Sequence, residues 1–174
     1  DTVCRHLSSY QTPKLLCVGS YEDTASMSLR KMGLKVEEID PMINYYLQEY
    51  FTKPTTVKNS YDIIFSTSVI EHVPDDESFI GCIADLLTTG GVAVITCDYK
   101  DGWKPNEPKP ECNARFYTQH DLRDRLLPLM SSCHLVDEPQ WDCPNPDFIY
   151  LGKYQYTFAA FIVKKESIKK RHEL

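Results

Sequence analysis

Residues 61–99 read YDIIFSTSVIEHVPDDESFIGCIADLLTTGGVAVITCDY, and this stretch decides the fold. Tyr61–Ser66 is an apolar run rich in β-branched and aromatic residues, as a buried strand requires. Pro74 and the acidic residues Asp75, Asp76 and Glu77 mark a helix start, where negative charge suits the helix dipole. Phe79, Ile80, Ile83, Leu86 and Leu87 follow at helical spacing. Gly90-Gly91 is expected to stop that helix, and Val92–Cys97 reads as the next buried strand.

Working outward toward the N-terminus, the same alternation recurs. Lys14–Val18 is a short apolar strand ending on Gly19. Thr24 to Met32 places Ala25, Leu29 and Met32 on one helical face, with Asp23 or Thr24 as its cap and Gly33 as its stop. Lys35–Ile39 reads as a second strand closed by Asp40-Pro41. Met42 to Phe51 fits either a short third strand or a helix, and Lys53 to Ser60 is a loop. Two successive strand–helix–strand units imply a parallel sheet with right-handed crossovers.

Toward the C-terminus, Lys100 to Asn113 carries three prolines, Gly102 and Trp103, and reads as a long irregular loop of the functional or mobile kind. Thr118 is placed to cap a helix through Leu129, with Asp121 in its first turn. His134–Asp137 and Tyr154–Val163 read as strands, joined through the proline-rich Asp142 to Asp147. The basic residues from Lys164 to Arg171 read as a solvated tail. Arg171 to Leu174 faintly resembles an endoplasmic-reticulum retention signal, which is set aside without a signal peptide.

The 174 residues fit one domain spanning 1–174, large enough to bury a core. Starting at Asp1 rather than Met, the chain is read as cut from, or lacking, N-terminal sequence. No apolar run nears the length of a membrane span. A formal net charge of −6 lacks the basic footprint of a nucleic-acid binder. The seven cysteines are odd in number, contain no CxxC spacing, and include Cys17 and Cys97 inside apolar runs. Free thiols in a reducing compartment are the expectation, with no metal and a cytoplasmic location.

In an open parallel sheet, ligands bind beyond the carboxyl ends of the strands. The residues there are Gly19 to Asp23, Asp40, Leu47 to Glu49, Ser66 to Ser68, and Asp98-Tyr99. A glycine after the first strand lets a ligand approach the backbone. A carboxylate after the second strand, Asp40, can accept both hydroxyls of a ribose; it can equally serve as a turn former before Pro41.

Tyr61-Asp62, Glu71-His72 and Gly90-Gly91, in this order and spacing, resemble the class I methyltransferases that use S-adenosylmethionine. Arg115-Phe-Tyr-Thr118 before an acidic helix is similar to the family's next helix entry. The resemblance spans roughly Leu15 to Leu126. It implies a Rossmann-like, doubly wound, mostly parallel α/β sheet with a C-terminal antiparallel strand pair. It also implies an S-adenosylmethionine-dependent transferase, with cofactor contacts from Gly19, Ser20, Glu22, Asp40, Leu47, Ser66, Thr67 and Ser68. The first-strand loop departs from the family pattern: Cys17 stands where an acid is common and only Gly19 of the glycines is kept. Glu22 or Asp23 can still face the cofactor's cationic amino group.

For the chemistry, His72 and Asp98 are the candidate proton acceptors, with Tyr99 and His120 as alternatives. Trp103, Trp141 and Asp142 to Asp147 are candidate contacts for a polar or sugar-like acceptor, or else simply cover the core edge. A small molecule or saccharide carrying a hydroxyl is the expected acceptor, with no nucleic-acid or membrane partner. A noncatalytic domain of this fold is one alternative. A nicotinamide-binding oxidoreductase is another, against which stands the missing G-x-G-x-x-G at Gly19.

Overall fold

The computed structural model describes residues 2–146 and 148–166. Four parallel strands form its centre: β1 (Leu15–Val18), β2 (Val36–Ile39), β3 (Tyr61–Thr67) and β4 (Leu87–Tyr99). β5 (Cys133–Leu135), β6 (Phe148–Tyr150) and β7 (Tyr154–Lys165) complete the set. The sheet runs β2-β1-β3-β4-β7-β5, with β7 antiparallel to β4 and to β5, and with β6 paired to β7. Strand order reverses between β1 and β3, so the crevice expected of a doubly wound sheet opens at their carboxyl ends.

Helices cover both faces. α1 (Thr2–Leu7) and α2 (Thr24–Lys31) lie over one, where Val3 and Leu29 pack with Leu15, Cys17, Ile63 and Phe65. α2 starts where the sequence places it, since the Asp23 carboxylate accepts the Ser26 amide at 2.7 Å. α4 (Asp76–Leu86) covers the other face with Phe79, Ile80 and Ile83, each at most 2% exposed. Burying each such side chain stabilises the fold by about 1.5–3 kcal/mol. Asp75 caps this helix through the Ser78 amide at 3.1 Å.

Several expectations are corrected. α4 ends at Leu86, so Gly90-Gly91 lies inside β4 instead of stopping the helix. A step of two positions in β3, from Tyr61 to Ile63, faces a step of five in β4, from Leu87 to Val92, and the glycines lie in the surplus. A Cβ on Gly91 would stand 2.9 Å from the carbonyl oxygens of Thr88 and Tyr61, so only glycine fits there. The ambiguous segment forms helix α3 (Leu47–Thr52) and no third strand outside β2. The helix after Thr118 is present, but it winds as a π-helix over Asp121–Leu126 and as a 3-10 turn over Leu127–Leu129. Thr118 and Asp121 cap its start reciprocally. β6 falls in a stretch with no strand expected.

Lys165 does not belong to a solvated tail. It is buried, and its ammonium donates to the Ala84 and Leu87 carbonyls and to Asn59 Oδ1 at 2.7–2.9 Å. A cation here satisfies the open carbonyls at the C-terminal end of α4. The rest of the basic segment, and Arg171 to Leu174, lie outside the described residues. Among the described residues, no helix is long and apolar enough to cross a membrane.

Candidate functional site

A cavity of about 580 Å³ occupies the crevice at the carboxyl ends of β1, β2 and β3. That volume suits a nucleoside-sized ligand. Of the residues expected there, Gly19, Glu22, Asp40, Leu47, Thr67, Ser68 and His72 line it. Ser20 and Ser66 do not. They are buried beside those positions, and their hydroxyls have no partner.

Gly19 has φ +84, and its amide donates to the Ile39 carbonyl at 2.7 Å, tying the β1 loop to β2. A Cβ on it would come within 2.1 Å of Val69 Cγ2. The Val69 side chain therefore lies directly on the glycine, and Ser68 before it has φ +51. Such a backbone conformation is costly for a residue other than glycine and is typical of functional turns.

Asp40 is 8% exposed and lines the cavity while it forms the turn before Pro41. Its Oδ1 accepts the Met42 amide at 2.8 Å and its Oδ2 the Tyr21 amide at 3.2 Å. Each oxygen keeps a lone pair for a ligand hydroxyl. Asp23 is occupied by its cap on α2 and by the Cys17 thiol at 3.5 Å. That thiol is inert: burial, and then the neighbouring Asp23, push its pKa well above the usual range. Glu22 is exposed at the rim.

Sequence reasoning missed much of the wall. Met42, Tyr45, Tyr46, Val69 and Phe79 line the cavity as well. The Tyr45-Tyr46 pair in the unassigned 42–51 segment was the available signal. Among the described residues of the wall there are three carboxylates, one histidine and no lysine or arginine.

His72 ends the 3-10 turn Ile70–His72 and lines the cavity. Its Nδ1 stands 3.0 Å from the Cys112 carbonyl oxygen. A carbonyl only accepts, so in the neutral ring Nδ1 carries the proton and Nε2 is left as a proton acceptor.

Asp98 is not at the cavity wall. It is 5% exposed and accepts Asn113 Nδ2 at 2.8 Å. The buried Glu71 carboxyl is its neighbour. Burial, and then the adjacent Asp98, push Glu71 up to about 8. Tyr99 donates to Asp101 and to the Trp141 carbonyl, inside the fold. His120 is exposed and pairs with Asp124. Trp141 packs edge-on against Phe161 and donates to the Ala160 carbonyl, so it covers the core edge. Trp103 stands edge-on to Phe116. Asp147, the last of the proline-rich cluster, lies outside the described residues.

Comparisons with known proteins agree with this architecture. Residues 18–95 match the family model described as methyltransferase domain. No curated protein matches the chain in sequence. A methyltransferase of Methanosarcina mazei, described as dependent on S-adenosylmethionine, has a similar structure, with a TM-score of 0.66 at 13% identity. The match covers 95% of this chain and 97% of that one. The 1,6-didemethyltoxoflavin-N1-methyltransferase of Burkholderia thailandensis, solved with S-adenosylhomocysteine, gives a TM-score of 0.65 at 13% identity. It covers 95% and 76%. A Galdieria sulphuraria protein provisionally named a sarcosine dimethylglycine methyltransferase gives 0.58 at 20% identity. There the match covers 80% of this chain and spans only 60% of the relative.

Proposed function

For a chain that has the class I methyltransferase fold and matches the methyltransferase-domain family over residues 18–95, we propose the transfer of a methyl group from S-adenosylmethionine to a small acceptor. One observation carries this reading: the cavity at the switch point is lined by Glu22, Asp23 and Asp40 with no lysine or arginine among its described residues. A dinucleotide brings a pyrophosphate that such a wall repels. S-adenosylmethionine brings a sulfonium and an ammonium and no phosphate, so its charge is complementary.

The residues present fit that ligand. Asp40 has lone pairs free for ribose hydroxyls, Leu47 and Phe79 supply an apolar wall, and Glu22 faces the cationic end. When bound, the sulfonium supplies a methyl group on an already activated leaving group. The chain then has to position the acceptor and exclude water. His72, through Nε2, takes the proton that a hydroxyl acceptor must lose. The acceptor is a small molecule or saccharide; the acidic wall and a net charge of −6 disfavour nucleic acid. Seven free cysteines support a cytoplasmic location.

A second reading has its own observation. The Val69 side chain lies on Gly19 where a ligand would approach the backbone, which suits a noncatalytic domain of the same fold. A co-crystal with S-adenosylhomocysteine tests the first reading: the ribose is expected on Asp40 and the adenine against Leu47. A ligand bound elsewhere contradicts it. Cofactor binding without turnover on hydroxyl and amine acceptors favours the second.

A further inference from the structure

The loop between β4 and Thr118 is fastened to the 3-10 turn that carries His72, and the fastening is buried. The Glu71 carbonyl accepts the Ala114 amide at 2.7 Å. The Asp98 carbonyl accepts the Tyr117 amide at 2.9 Å, and the Tyr117 hydroxyl donates to the Ile70 carbonyl at 3.1 Å. Between these ties stands a contact of two side chains, Asn113 Nδ2 to Asp98 Oδ2 at 2.8 Å, with the two residues 3% and 5% exposed. The neighbour of Asn113 in the chain is Cys112, whose carbonyl meets His72 Nδ1.

We propose that Asp98 and Asn113 are positioning residues for His72. Their hydrogen bond holds residue 113 in place. That fixes the direction of the Cys112 carbonyl, which in turn selects the Nδ1–H tautomer and leaves Nε2 as the acceptor. The inference deepens the methyl-transfer reading and rests on it for its purpose, but not for its geometry. It accounts for a carboxylate near the carboxyl end of a central strand yet kept off the cavity wall. Asp98 is 5% exposed and accepts from Asn113. A carboxylate so enclosed orients its neighbours instead of meeting a substrate.

A free imidazole side chain favours the Nε2–H form, so the tautomer of His72 reports the contact directly. The chain has five histidines, few enough to assign in a spectrum of protein labelled with 15N-histidine. At a pH where the ring is neutral, the unmodified protein is expected to hold His72 as Nδ1–H. An ordinary net hydrogen bond biases that ratio about five-fold. Asn113→Ala and, independently, Asp98→Ala are expected to lose the bias. Asp98→Asn keeps an oxygen that can accept from Asn113 and is expected to retain it.

His72 found as Nε2–H in the unmodified protein overturns the proposal, and that arm needs no variant to fold. So does an unchanged Nδ1–H signal in either folded alanine variant. None of these spectra needs a ligand. Failure to bind S-adenosylmethionine would therefore sink the functional reading and leave the positioning result standing.

Discussion

Two sets of carboxylates, one on each side of the β3–α4 connection, are treated in opposite ways by this fold. Asp76, at the start of α4, is 2% exposed and fully answered. Arg125 grips it through two nitrogens at 2.8 and 2.9 Å, Arg115 stands at 3.0 Å, and Tyr117 donates at 2.9 Å. Burial alone would raise its pKa, but the hydrogen bonds of Arg125 and Tyr117 and the charge of Arg115 hold it below the usual range. Asp40 and Glu22 have no cation beside them on the cavity wall. The first arrangement closes its charge within the fold. The second leaves negative charge for a ligand to answer.

The sharpest way to break that comparison is Asp76→Ala. It strips the partner from two arginines that are each 27% exposed and so keep some contact with water. The expected loss is about 3 kcal/mol in a denaturant titration, the low end for breaking a buried pair. A loss within experimental error would mean that the cluster does not hold α4 to the helix after Thr118.

Asp40→Ala should reverse the pattern, weakening S-adenosylmethionine binding more than tenfold for a smaller loss of stability. Unchanged affinity by calorimetry would remove Asp40 from the ribose role and leave it a turn former.

The two acids also separate by pH. Asp76 has a lowered folded pKa, so its contribution is full above the unfolded value and is lost as pH falls through the folded one. Glu71 is raised from an ordinary 4.5 to about 8, so its native state holds a proton that the unfolded chain has released. Stability from this group therefore falls as pH rises between those values. Glu71→Gln should flatten that decline; a variant with the same slope would place its cause elsewhere. The smallest effect is expected at the exposed rim, where Glu22→Gln should weaken cofactor binding by only about two- to three-fold, as suits a solvent-screened charge.

The sequence carried what is local. The strand at Tyr61, the caps of Asp23 and Asp75, and the glycine and carboxylate past β1 and β2 are set by periodicity and neighbouring residues. What it did not carry depends on distant partners. Lys165 reads as one more basic residue until the fold brings it to the carbonyls of Ala84 and Leu87. Gly90-Gly91 reads as a helix stop because its true partners, Tyr61 and Asp62, are some thirty positions away. Asp98 reads as lying just past the strand Val92–Cys97, as a ligand contact would, but β4 runs on through Tyr99 and Asn113 from a proline-rich loop claims its carboxylate. Tyr45 and Tyr46 reach the cavity from a segment whose spacing fits either a strand or a helix.

The central claim is that the acidic cavity takes a cationic nucleoside. Calorimetry with S-adenosylmethionine, S-adenosylhomocysteine and NAD tests it most directly. Saturable binding of the sulfur ligands and none of NAD is expected, with binding weakened more than tenfold in Asp40→Ala. Binding of NAD alone, or of none of the three, would contradict it.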